Sequence, residues 1–179
     1  MPTPYRTSYI ILHNMLQLIK FSELDKKWMA FLIEYASPRH SDIKNLLLSS
    51  HQLMKDLYPE EANSYLSISE LCSSNIHFLG ARQNKNYYGC GALDVKPDYG
   101  ELKSFFVEPG VRGNGIATLI MQEILLIAKK FNLNILKLET GVGLDSALNL
   151  YKRFGFEYCE PFGNYTENGY SIFMKKDLS

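Results

Sequence analysis

Between Asp42 and Leu57 the apolar residues Ile43, Leu46, Leu47, Met54 and Leu57, with His51 among them, recur at helical spacing. Ahead of them Ala30 to Tyr35 reads as a strand, stopped by Ser37-Pro38. Pro59-Glu60-Glu61 opens another helical piece, because proline suits a first turn and acids complement the dipole there, and a shorter helical piece is expected from Ser67 to Cys72. The period then changes. Asn75 to Ala81 and Tyr87 to Val95 are strand-like around the polar turn Arg82-Gln83-Asn84-Lys85-Asn86, and Glu101 to Val107 follows the turn Pro97-Asp98-Tyr99-Gly100. Strands joined by such short turns form an antiparallel meander. Strict alternation would put Glu101, Lys103, Phe105 and Val107 on one face.

The strongest helix pattern runs from Gly115 to Phe131, with Ile116, Leu119, Ile120, Ile124, Ile127 and Phe131 on one face, widened by Met121, Leu125 and Leu126. Leu133 to Thr140 is a buried type of strand, Asp145 to Phe154 a helix, and Gly155 its C-terminal cap. Phe156 to Cys159 and Tyr170 to Lys175 are the last strands. The order β-α-α-β-β-β-α-β-α-β-β predicts an α+β domain, a mixed sheet with helices packed on it.

Composition narrows the class. At 179 residues and 46% apolar, the chain suits one domain with a sizeable core and is too apolar for a disordered chain. Lys+Arg and Asp+Glu balance at 19 each, so no global field favours nucleic acid or a membrane surface, and neither partner is expected. Cys72, Cys90 and Cys159 have no metal-like spacing and favour a reducing cytoplasm over a disulfide framework. Cys90 and Cys159, in strand-like runs, read as small core residues. His13, His40, His51 and His77 are scattered, so no metal is expected. Tyr9 to Ile19 is too short and interrupted to span a bilayer, although Ile11, Met15, Leu18 and Ile19 share a helical face. Residues 1–28 therefore read as an N-terminal extension with a short amphipathic helix, and residues 29–179 as the domain.

The chemistry concentrates in Val107-Glu108-Pro109-Gly110-Val111-Arg112-Gly113-Asn114-Gly115-Ile116-Ala117, a turn between a strand and the strongest helix. Such a turn offers backbone N–H groups, a helix N-terminus and an arginine to a phosphate. A dinucleotide-binding fingerprint fits worse, since Gly113-x-Gly115-x-x-Thr118 lacks the third small residue.

With Arg112, Gly115 and Ala117 the turn meets the pattern Arg/Gln-x-x-Gly-x-Gly/Ala. Ala147, Leu150, Tyr151, Gly155 and Phe156 meet Ala-x-x-Leu-Tyr-x-x-x-Gly-Phe. In this order, after the hydrophobic strand Leu102 to Val107, the two motifs resemble the GNAT family of acetyl-CoA-dependent N-acetyltransferases over residues 30–179. Gly89-Cys90-Gly91-Ala92-Leu93, Glu101-Leu102-Lys103, Leu138-Glu139-Thr140-Gly141 and Pro161-Phe162-Gly163-Asn164-Tyr165 resemble its bacterial YsnE-like members. The resemblance implies a mixed, mostly antiparallel six- to seven-stranded sheet with helices on both faces. It also implies acetyl-CoA as co-substrate, without a metal, lying along an edge splayed between the Glu101–Val107 and Leu133–Thr140 strands. The main chain of Phe105, Phe106 and Val107 would hold the pantetheine arm. Arg112, Gly113, Asn114, Gly115, Ile116 and Ala117 would hold the phosphates. Many members carry asparagine where this chain has Leu144, whose side chain cannot donate the same hydrogen bond to the pantetheine. Members often form homodimers, though no stripe in this sequence marks an interface.

Acetyl transfer to an amine sets three requirements. An alkyl ammonium with a pKa of about 10.4 must lose a proton, an oxyanion needs a fixed donor, and the leaving thiolate benefits from a nearby acid. Glu101 is the first candidate base, directly or through water, and Glu139 the second. The resemblance supplies the oxyanion donor from the main chain near Phe105–Val107, and places Tyr151 beside the cofactor sulfur as the acid. The Phe162-Gly163-Asn164-Tyr165 loop either lines the acceptor pocket or covers the sheet end. The expected acceptor is a small amine or amino-acid-like molecule. The alternatives are a protein or peptide amine, or a non-catalytic acyl-CoA-binding module.

Overall fold

A computed structural model describes residues 31–178, and the expected N-terminal extension lies outside these residues. Strand β1 (Leu32–Tyr35) leads to helix α1 (Ser41–Leu57). His40 caps that helix, its Nδ1 accepting the Asp42 N–H at 3.2 Å, and Asp42 adds an acid to the first turn. The second predicted helix is reduced to 3₁₀ turns at Glu60–Ala62 and Glu70–Cys72. Between them Asn63, Ser64 and Ser67 favour local side-chain bonds over helix, as where Glu70 accepts the Ser67 N–H at 2.8 Å.

Strands β2 (Ile76–Gln83), β3 (Asn86–Val95) and β4 (Gly100–Val107) form the predicted meander. Its first hairpin is tighter than the polar run suggested. Gln83 pairs with Asn86, and Asn84 takes a left-handed φ of 56°, leaving Asn84 and Lys85 as the loop. Helix α2 (Ile116–Lys130), strand β5 (Ile135–Gly141), helix α3 (Asp145–Arg153), strand β6 (Glu157–Tyr158) and strand β7 (Ser171–Asp177) follow. Gly155, at φ 78°, ends α3 as expected. The seven-stranded sheet has the order β1-β2-β3-β4-β5-β7-β6. The β4–β5 pair is parallel and the other pairs antiparallel.

Alternation along the strands sorts the core into two layers. On one face Leu79, Leu93, Leu102, Leu136, Leu138 and Met174 pack against α2 and α3. On the other, Phe78, Cys90, Ala92 and Phe106 pack against Ile43, Leu46 and Leu47 of α1. The α2 stripe is narrower than the sequence implied, with Leu126 54% and Phe131 47% exposed.

Two irregularities in β4 shape the site. Cys90 pairs with Phe106 and Ala92 with Lys103, so Gly91 alone faces both Ser104 and Phe105. This bulge holds Ser104 at φ 50°, a left-handed conformation uncommon for serine. It inverts the parity expected for the strand. Glu101 and Lys103 face α1, whereas Phe105 and Val107 join the α2 layer. The second irregularity is a short ladder. β4 and β5 pair at Gly100↔Leu136, Glu101↔Lys137 and Leu102↔Leu138, and the ladder stops there.

Candidate active site

The phosphate-type turn begins where β4 ends. A 3₁₀ turn at Pro109–Val111 leads to Arg112, whose Nε donates to the Val107 carbonyl at 3.0 Å while its guanidinium lies 5.5 Å from the Phe106 ring centroid. Asn114 Nδ2 donates to the Val111 carbonyl at 2.9 Å, folding the turn onto itself. Gly113 and Gly115 both adopt φ 80°, and a Cβ on Gly113 would meet nothing within 4 Å. Gly115 is the N-cap of α2 and offers no side-chain acceptor, so the first-turn N–H groups stay open to an anion. Ile116 is buried in the α2 layer and Ala117 packs against it, anchoring the helix start.

Past Leu102 and Leu138 the sheet opens into a cleft lined from both faces. On the α2 side stand Phe105, Ala147 and Tyr151. Tyr151 is 5% exposed, its ring edge-on to Phe105 at 6.2 Å and Phe156 at 5.9 Å. Burial pushes its phenol well above the ordinary range, so it stays protonated at neutral pH. Leu144 is the N-cap of α3 without a side-chain cap bond, and it lines the cleft with an apolar side chain.

On the α1 side the cleft is polar and aromatic. Glu101 is 4% exposed, and its Oε1 accepts from Lys103 Nζ at 2.8 Å and from the Tyr165 hydroxyl at 2.8 Å. Lys103 Nζ also donates to the Tyr165 hydroxyl, closing a triangle. Phe162 and Phe173 hold the Tyr165 ring, at 5.2 and 5.6 Å. Lys103 and Tyr165 line the cleft, and Glu101 lies behind them. Glu139 also lines it, accepting from Ser171 Oγ at 2.7 Å. Burial raises the Glu139 carboxyl above its ordinary value, against opposing pulls from Ser171 and Lys103. Tyr58, at the end of α1, crosses Gly141 to donate to the Val142 carbonyl at 2.7 Å. A Cβ on Gly141 would fall 2.1 Å from that hydroxyl, so the crossing needs glycine.

The opening thus brings together Tyr151, Glu139 and Phe105, while Glu101 reaches the same region without lining the cleft. Lys103, Tyr165 and Tyr58 line the same opening, and no motif in the sequence assigned them a chemical role. The aromatic Phe162–Tyr165 loop was the available signal: Tyr165 lines the cleft, and Phe162 packs on Phe173 of β7. Cys90 is fully buried, its Sγ donates to the Ser104 carbonyl at 3.3 Å, and its thiol is pushed up to about 12 by desolvation, which makes it a poor nucleophile. Among the described residues no cluster of His, Cys, Asp and Glu is set to hold a metal ion, and no helix is long and apolar enough to cross a membrane.

The sequence pattern of the Acetyltransferase (GNAT) family matches residues 41–156. The chain is 37% identical over 144 residues to an IAA acetyltransferase of Azospirillum brasilense, covering 79% of this chain and 94% of that one. It is 37% identical over 123 residues to the uncharacterised N-acetyltransferase YsnE of Bacillus subtilis (strain 168), covering 67% and 82%. The fold is similar to that of PaiA N-acetyltransferase from Thermoplasma acidophilum in complex with coenzyme A, with a TM-score of 0.63, 19% identity, and coverage of 84% and 100%.

Proposed function

The chain belongs to the GNAT acetyltransferase family, and on that premise we propose that it moves the acetyl group of acetyl-CoA to the amine of a small molecule by direct attack in a ternary complex. Acyl-CoA-dependent N-acetyl transfer is the family activity; the acceptor and the assignment of roles are our reading. One observation carries it. The parted ends of β4 and β5 hold a protonated phenol on the α2 side and a desolvated carboxylate on the α1 side of one opening.

The turn Arg112–Ala117 lies beside the α2 N-terminus and fits the phosphates of acetyl-CoA. The edge of β4 beyond Leu102, without a ladder to β5, fits an extended pantetheine arm whose amides bond main chain in strand fashion. Leu144 adds apolar contact there in place of an amide.

Glu101 and Glu139 compete for the base. Glu101 is occupied by Lys103 and Tyr165 and does not line the cleft, so we assign the base to Glu139 and give Glu101 the task of fixing Lys103. A carboxyl raised by burial lies closer to operating pH, which favours proton transfer from an ammonium. The amine, freed of a proton, attacks the acetyl carbonyl. The oxyanion is met by main-chain N–H near Phe105–Val107. Tyr151 donates its proton to the departing sulfur as the carbon–sulfur bond breaks and is restored by the second proton, which the nitrogen loses after attack, while the first proton passes from Glu139 to solvent. The test is thiol release from acetyl-CoA with amines, amino acids and peptides, with mass detection of the N-acetyl product. Transfer to small amines is expected. Transfer confined to peptide or protein amines, or acetyl-CoA binding with no transfer at all, would overturn this reading.

A further inference from the structure

We propose that the acceptor is a free α-amino acid, held by Glu139 at its ammonium and by Lys103 at its carboxylate; this deepens the acetyltransferase reading and rests on it. Lys103 and Glu139 are the residues immediately past the last rung of the β4–β5 ladder, one on each strand. Both face α1, because Lys103 pairs with Ala92 of the α1 layer and Glu139 with Phe173, whose ring meets Phe162 and Tyr165. Both line the cleft.

Their charges feel each other, since Lys103 pulls the Glu139 carboxyl down against burial. Yet they are not closed into an ion pair: the carboxylate bonded to Lys103 is that of Glu101. A cation and an anion therefore face each other across a gap at the point where the sheet parts. A molecule with an ammonium and a carboxylate on one carbon complements that arrangement. A simple amine would leave the remaining Lys103 donor without a carboxylate from the acceptor, a peptide N-terminus would put a neutral amide there, and a lysine side chain has no acid near its amine.

Lys103 is also held for this task. An ammonium has three donors, of which Glu101 and Tyr165 take two, leaving one for a ligand. The Tyr165 ring lies 5.0 Å beneath the ammonium. Burying such a pair costs desolvation, which argues for a role beyond stability. Because Glu101 sits behind Lys103, a carboxylate in the cleft meets the cation first. Met54, Tyr58 and His51, stacked on Tyr65 at 3.9 Å, also line the cleft, beside Ser50, Asn63 and Ser64, and offer contact to an apolar or aromatic side chain on the amino acid.

The test compares kcat/KM for L-phenylalanine, L-phenylalaninamide and phenethylamine, and likewise for L-methionine and its amide. The free acids should be preferred by about tenfold to a hundredfold, mostly through KM. Intrinsic reactivity runs the other way, because the amide has the more acidic ammonium. Lys103→Met should erase the preference and Lys103→Arg retain most of it. If Lys103→Met does not fold, the substrate series in the unaltered protein still decides. Amide or amine used as well as the acid would overturn this inference alone and leave acetyl transfer intact. No product from any amine of any class would overturn both.

Discussion

Burial raises the Glu139 carboxyl above its ordinary value of 4.5, so the folded chain binds this proton more tightly than the unfolded chain. The stability contributed by this group is therefore present below the unfolded value and declines as pH rises through the folded one. Glu139→Gln should accordingly melt higher than the parent near neutral pH, with the gap closing as the pH falls below 4.5. The same variant should lose about a hundredfold or more in kcat/KM. Thermal melts across pH, with kinetics at neutral pH, check both effects. A variant that melts no higher would mean that the carboxylate carries no desolvation penalty. Tyr151→Phe removes one hydroxyl from a ring packed against Phe105 and Phe156, so the shape of the site is kept. Its kcat should drop by about tenfold to a hundredfold while KM for acetyl-CoA stays nearly constant, as steady-state kinetics would register. An unchanged kcat would remove Tyr151 from the chemistry.

At the scale of elements, the helices and the meander were legible because their apolar periods are long and strong. The bulge was not. Its left-handed residue is Ser104, neither glycine nor asparagine, and nothing in Glu101–Val107 interrupts the apparent alternation. One inserted residue moved Phe105 to the opposite face from Lys103, and so set which side chains enter the cleft from the α1 side and which from the α2 side. The turn before α2 was easier to read, since Gly113 and Gly115 both sit at the positive φ that such a turn requires. Gly113→Ala would place its Cβ in open space, so its cost is conformational alone, about 1–2 kcal/mol in that region. That strain should appear as a lower urea midpoint together with weaker acetyl-CoA binding by calorimetry. A full-strength site with unaltered stability would show that the turn tolerates a side chain and that its φ has no part in binding.

Across the whole molecule, the two layers explain why the opening does not split the fold. The α2 layer is continuous over the parting strands, joining Leu102 to Leu138, Met174 and Tyr151, whereas the buried α1 layer ends with Phe106 and gives way to Glu101, Lys103 and Glu139. Leu138→Ala, at 1% exposure on that seam, should cost about 2–5 kcal/mol and still unfold in a single transition. Two separated transitions in urea would mean that the halves are not cemented there. The domain class and the glycine turn before α2 could be read from local patterns. The grouping of Lys103, Glu101 and Tyr165 could not, because Tyr165 meets them across 62 and 64 residues of chain. Glu139 is proposed to take the acceptor's proton at this opening. This role is tested most directly by the pH dependence of kcat/KM in the parent, Glu139→Gln and Glu101→Gln proteins. An acidic limb above the ordinary carboxylate value is expected in the parent and in Glu101→Gln, and its loss in Glu139→Gln. A limb that persists in Glu139→Gln and vanishes in Glu101→Gln would contradict it.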